Sequence, residues 1–234
     1  MRTRLLASAL FVSAFLACSP ARPPPPPAHT GWTLRYTQRV GEGSANARDV
    51  RPDVAIVVLD GAARIHVRER GIEARVDPAR ADVSLCHAAQ CTPTGEQSAF
   101  LAIGGVEDLP SFANAREIEP QLERLDDPLT IVNVPTQGAR FVSTVQAPTG
   151  DVRFTVEVRW IDEPGDRSVE VVKRFFLAPL VRMGAVRLAD MIRRESGLPL
   201  HWEVRIATQR RDGSTGEGSV VYHAAEMGNP PAAL

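Results

Sequence analysis

Beyond its first eighteen residues the 234-residue chain has no stretch of eighteen consecutive apolar side chains, so nothing there has the length of a membrane-crossing helix. Nor is there a surplus of positive charge: 27 Lys and Arg stand against 28 Asp and Glu, which excludes the broad basic footprint that nucleic acid demands. Motifs that carry common chemistries are missing as well. There is no H-E-x-x-H, no P-loop and no G-x-G-x-x-G, and Ser44 and Ser214 sit in glycine-rich turns without the G-x-S-x-G elbow. The five histidines are scattered, with His66, His201 and His223 on apparent strands opposite apolar neighbours. Glu157 reads as the wet side of a strand, and Asp162 and Glu163 as strand-end and turn residues. No nucleophile and base can be nominated together and no cofactor is implied, so the expectation is a protein that is not an enzyme.

What is present begins with residues 1–18, MRTRLLASALFVSAFLAC. Arg2 and Arg4 precede an apolar run at residues 5–17, which has the length of a signal-peptide core and is too short to span a bilayer. Phe15-Leu16-Ala17-Cys18 resembles the bacterial lipobox, with Phe15 where leucine is usual. The resemblance implies removal of residues 1–17 and lipidation of Cys18. The alternative is an ordinary secretory signal in which Cys18 is one more apolar residue. Each buried methylene of an acyl anchor contributes about 0.8 kcal/mol, and more than one chain makes attachment stable. Loss of the two arginines leaves the mature chain at about −3, still of mixed charge.

Only three cysteines occur, and with Cys18 taken by lipid, Cys86 and Cys91 remain as a pair in an oxidising compartment. A disulfide is the default, closing a small loop for roughly 2 kcal/mol in the chain-entropy model. A redox or metal site using Cys86, His87 and Cys91 is the alternative, although the spacing matches neither C-x-x-C nor a paired zinc site.

Residues 18–30 form a stiff tether, because prolines 23–27 are consecutive and hold the backbone near polyproline II. At about 3.1 Å per residue those five prolines lift the rest of the chain roughly 15 Å from the anchor. A proline-motif ligand for a partner domain is the other reading. One domain is expected over residues 31–227, with 228–234 as a loose tail.

Within that domain, period-two alternation marks strands at 31–37, at 53–59 and 62–68 across Asp60-Gly61, and at 72–76 and 82–86. Residues 41–51 read as a loop and 98–103 as a further strand. In 114–125 the period changes, with Ile118, Leu122 and Leu125 on one helical face, and Pro120 predicts where that helix starts. Strands follow at 129–134, 139–147 and 152–160, and 168–177 is expected to complete a hairpin through Pro164-Gly165. Residues 181–195 are the main helix candidate, stopped by Gly197 and Pro199. A last hairpin joins 200–207 to 220–226.

The F-L-A-C sequence, the hairpin in VVLDGAARIHV, and a helix followed by GLPLHWEVRI and a final hairpin together resemble the LolA/LolB-like half-barrel envelope proteins. The resemblance implies a mainly β, α+β fold: a curved antiparallel sheet or half-barrel of about eleven strands with one or two helices on its concave side. It also implies that Trp32, Leu34, Tyr36, Phe154, Val156, Trp160, Phe175, Trp202 and Val204 line an apolar concavity. These nine could equally pack under the helices as a closed core, since apolar strand faces are normally core. The expected partners are a membrane, through the lipid anchor, and lipid, an acylated ligand or an envelope protein, at a periplasm-facing or outer-membrane location. A non-enzymatic lipoprotein binding an apolar ligand is the first expectation, and an envelope scaffold with a filled core is the second.

Overall fold

The computed structural model describes residues 31–41, 49–59, 62–67, 70–77, 82–88, 90–112, 115–162 and 167–228. The expected leader at 1–17, Cys18, the expected proline tether at 18–30, Asp60-Gly61, Pro164-Gly165 and residues 229–234 of the expected tail lie outside them. Among the described residues, thirteen strands pair antiparallel into one open, curved sheet accompanied by three helices.

The first strand, β1 (Gly31–Gly41), is central because it carries both halves of the sheet. On one side it pairs with β2 (Asp49–Leu59), from which β3 (Ala62–Val67), β4 (Ile72–Asp77), β5 (Asp82–His87) and β6 (Gln90–Pro93) continue as a meander. The expected loop at 41–51 is therefore shorter, since β2 already begins at Asp49. On the other side β1 pairs with β13 (Thr215–Gly228), followed outward by β12 (Leu198–Arg210), β11 (Gly150–Ile161) and β10 (Val134–Ala147). Short strands β7 (Arg116–Glu117), β8 (Gln121–Arg124) and β9 (Leu129–Ile131) run in pieces along the free edge of β10. Cys86 and Cys91 stand directly opposite each other on β5 and β6, with their sulfurs 2.10 Å apart.

Several expectations are corrected. Residues 98–103 are not a strand but lie in α1 (Glu96–Gly104). The apolar run Ala99-Phe100-Leu101 has no period of its own, and Gly105, with φ 66°, closes a helix there. Residues 168–177 are not the second arm of a hairpin but the body of α2 (Arg167–Arg182), and β11 takes β12 as its partner instead. Val169, Val171, Phe175 and Leu177 do share parity, yet Val172, Phe176 and Leu180, spaced by four, are buried too. A helix buried around most of its circumference reads equally as alternation. Residues 114–125 are not helical but form β7 and β8, because Pro120 disfavours helical backbone at Glu119 and the unpaired edge of β10 is available.

The main helix candidate divides. Gly184, at φ 81°, separates α2 from α3 (Val186–Glu195). All three helices cover the face of the sheet that carries Leu34, Tyr36, Phe154, Val156 and Trp202, so that face becomes the core. Because α2 touches both β3 and β12, four steps apart in the sheet order, the strands curl around it. The opposite face keeps Arg35, Arg153, Glu157 and Arg205 near water, which is the alternation expected of a sheet wet on one side.

Candidate functional site

The concave face is nearly filled by one aromatic knot. Phe176 of α2 stacks on Trp202 of β12, with ring centroids 5.3 Å apart and planes at 25°. It meets Tyr36, Phe175 and Tyr222 edge-on at 5.3, 5.1 and 5.2 Å. Phe175 reaches on to Phe100 of α1 at 5.9 Å. Edge-to-face pairs at such separations each contribute about 0.5–1.5 kcal/mol beyond area burial, so this cluster fastens α2 to the sheet.

Beside the knot lies an apolar cavity of about 70 Å³. Its floor is Trp202, Val204 and Ile206 of β12 with Val220 and Tyr222 of β13. The helices cover it with Phe100 and Gly104 of α1 and Phe175, Phe176, Pro179, Leu180 and Met183 of α2, and Val106 and Leu109 close its side. On a scale where one water needs roughly 10–15 Å³, the space holds a few small groups and no long chain.

Of the nine residues expected to line a concavity, Phe175, Trp202 and Val204 line this cavity. Leu34, Tyr36, Phe154 and Val156 lie on the same concave face but are sealed in the core, at 0–1% exposure. Trp160 is buried with the guanidinium of Arg124 5.6 Å from its ring, and Trp32 packs half-buried against the core. Phe176, Tyr222, Phe100, Gly104, Val106 and Leu109 were not among the nine. The spacing of Val172, Phe176 and Leu180 would have found Phe176, whereas Gly104, Val106 and Leu109 give no periodic signal.

Three buried polar groups, on Gln38, Tyr222 and Tyr36, intrude on this greasy face. Gln38, 1% exposed, donates from Nε2 to the Tyr222 hydroxyl at 2.9 Å, and its Oε1 has no partner among the described residues. Burial pushes the Tyr222 phenol upward, opposed by the Arg70 charge and the Gln38 bond. Tyr36 is raised by burial also, and its hydroxyl donates to the Pro199 carbonyl at 2.5 Å. Arg70 donates to the Ala102 carbonyl at 3.3 Å, tying the turn after β3 to α1.

The convex face is charged. Arg159, with its side chain only 5% exposed, donates to the Asp127 carboxylate at 2.8 and 2.9 Å and to its carbonyl at 2.7 Å, clamping the loop that precedes β9. A Cβ at Gly138 would lie 2.7 Å from Arg159 Cδ, so only glycine leaves room for that side chain. Glu203 accepts from Arg205 at 2.5 Å and lies 3.9 Å from His201 Nε2. The neighbouring His201 imidazole first, and the Arg205 hydrogen bond and charge after it, draw the Glu203 carboxyl down from 4.5 to about 2 against the opposing effect of burial. His201 itself faces His223, two histidines 22 residues apart in sequence.

Among the described residues, no helix is long and apolar enough to cross a membrane, and no group of three or more His, Cys, Asp or Glu is placed to hold a metal ion. No protein-family model and no curated protein matches the chain.

Proposed function

We propose that the chain is a membrane-anchored lipoprotein of the bacterial envelope that holds lipid or another apolar ligand on the concave side of its sheet and does no chemistry on it. The observation that carries this reading is the cavity between α1, α2, β12 and β13, which is lined almost wholly by carbon. The lipobox-like end of the leader and the proline tether support it, since together they would keep the sheet within a short radius of a bilayer. At about 70 Å³ the cavity accepts the end of an acyl chain, and a longer chain enters only if α1 and the segment carrying Val106 and Leu109 swing outward.

Native mass spectrometry of protein isolated from its own envelope, before and after solvent extraction, tests the reading. The expected result is an extractable mass beyond the covalent anchor, with Trp202 emission shifting when fatty acid is added to the stripped protein. Absence of both would sink it.

A second reading is favoured by a different observation: Leu34, Tyr36, Phe154 and Val156 are already sealed, so most of the concavity is core. On that reading the chain is an envelope scaffold that docks to a protein partner. Cross-linking in intact cells would then capture a partner while extraction yields no lipid.

A further inference from the structure

His201 of β12 and His223 of β13 are registered directly across the two strands, on the face turned away from the helices, with their Nδ1 atoms 3.2 Å apart. We propose that these two imidazoles form a binding site for one divalent transition-metal ion of the zinc class. A metal held at 2.0–2.1 Å by two nitrogens in tetrahedral geometry sets those nitrogens about 3.3 Å apart, close to the separation seen here, which a hydrogen bond between the rings also gives. Imidazole nitrogen suits zinc, nickel and copper, whereas calcium and magnesium prefer oxygen.

The surroundings supply the outer support that metal-binding histidines usually have. Glu203 divides its two oxygens: Oε1 accepts from Arg205 Nε at 2.5 Å, and Oε2 faces His201 Nε2 at 3.9 Å. At that distance the carboxylate is not hydrogen-bonded to the ring, but its negative charge on the Nε2 side favours the tautomer that keeps the proton there and the lone pair on Nδ1. Arg39 and Arg205 oppose a cation, and Arg205 is already neutralised by Glu203. Two protein ligands leave two coordination positions for solvent or for a donor from a docked molecule.

The experiment is a calorimetric titration of the full-length chain with zinc chloride in a non-coordinating buffer, alongside H201Q, H223Q, E203Q and H66Q. All four positions face away from the core, and circular dichroism checks that each variant folds. The expected result is one-to-one saturation that disappears in H201Q and in H223Q and weakens about 10- to 100-fold in E203Q. H66Q should match the native chain. Lack of saturable binding by the native chain would overturn the site and leave a hydrogen-bonded imidazole pair only, and so would binding that survives H223Q. Unchanged affinity in E203Q would overturn the part assigned to its carboxylate.

Discussion

Phe176 is the residue whose removal best tests how the concave face is held. It is 3% exposed, and four aromatic rings surround it: Tyr36, Phe175, Trp202 and Tyr222. Phe→Ala in a packed core costs about 3–5 kcal/mol, combining lost transfer energy with about 24 cal/mol for each Å³ of void that remains. Here the void would join the existing cavity of about 70 Å³, and the walls are rigid rings on a sheet, so little collapse is available. Phe176→Ala should therefore fall at the upper end, about 4–5 kcal/mol, while Phe176→Leu should cost about 1–2 kcal/mol. With a urea slope of about 2 kcal/mol/M, the alanine midpoint drops by roughly 2 M. An enlarged dry cavity also takes up a small apolar molecule, so benzene should restore part of the lost stability in Phe176→Ala and leave the native midpoint unmoved. A loss below about 1 kcal/mol, or equal responses of both proteins to benzene, would refute the view that α2 is seated on the sheet by this ring.

The Gln38–Tyr222 pair should show strong non-additivity. Tyr222→Phe leaves a second unpaired atom on buried Gln38 and should cost about 1–3 kcal/mol, whereas Gln38→Leu combined with Tyr222→Phe should recover most of it in a denaturation cycle. Gly138→Ala places a methyl against Arg159 and should cost roughly 1–3 kcal/mol while loosening the Asp127 loop, visible as faster amide exchange at Asp126 and Asp127. The Glu203 carboxyl, ordinarily at 4.5, is held near 2 in the folded protein, so the stability it supplies is complete above pH 4.5 and disappears as pH falls towards 2. Melting temperatures of Glu203→Gln should accordingly show a flatter acid limb across that window, and a limb parallel to the native one would count against the His201 and Arg205 contacts.

Much of this architecture was legible from residue order alone. The alternation Val152, Phe154, Val156, Val158, Trp160 specifies β11 because side chains on a strand face opposite sides at every step, and one side of this sheet is dry. The same holds for β1, β3, β4 and β12, and the spacing of Cys86 and Cys91 places them across adjacent strands. Where elements are buried all round, or are recruited to an edge, the pattern fails. In α2, Val169, Val171, Phe175 and Leu177 imitate a strand because Val172, Phe176 and Leu180 are covered as well, some by the sheet and others by α1 and α3. At 114–125 the residues carry a helical spacing, yet the unsatisfied edge of β10 draws them into pairing.

By itself, then, the sequence determined the compositional exclusions, the antiparallel strands and which of their side chains face inward, since these follow from local alternation and turn chemistry. Only the tertiary structure decided that α2 fills the concavity, that Phe175, Trp202 and Val204 border open space while Leu34, Tyr36, Phe154 and Val156 do not, and that His201 meets His223. Those outcomes depend on how far a sheet curls and which strands register side by side. Curl and register are summed over many residues distant in the chain, and no short window of residues contains that sum.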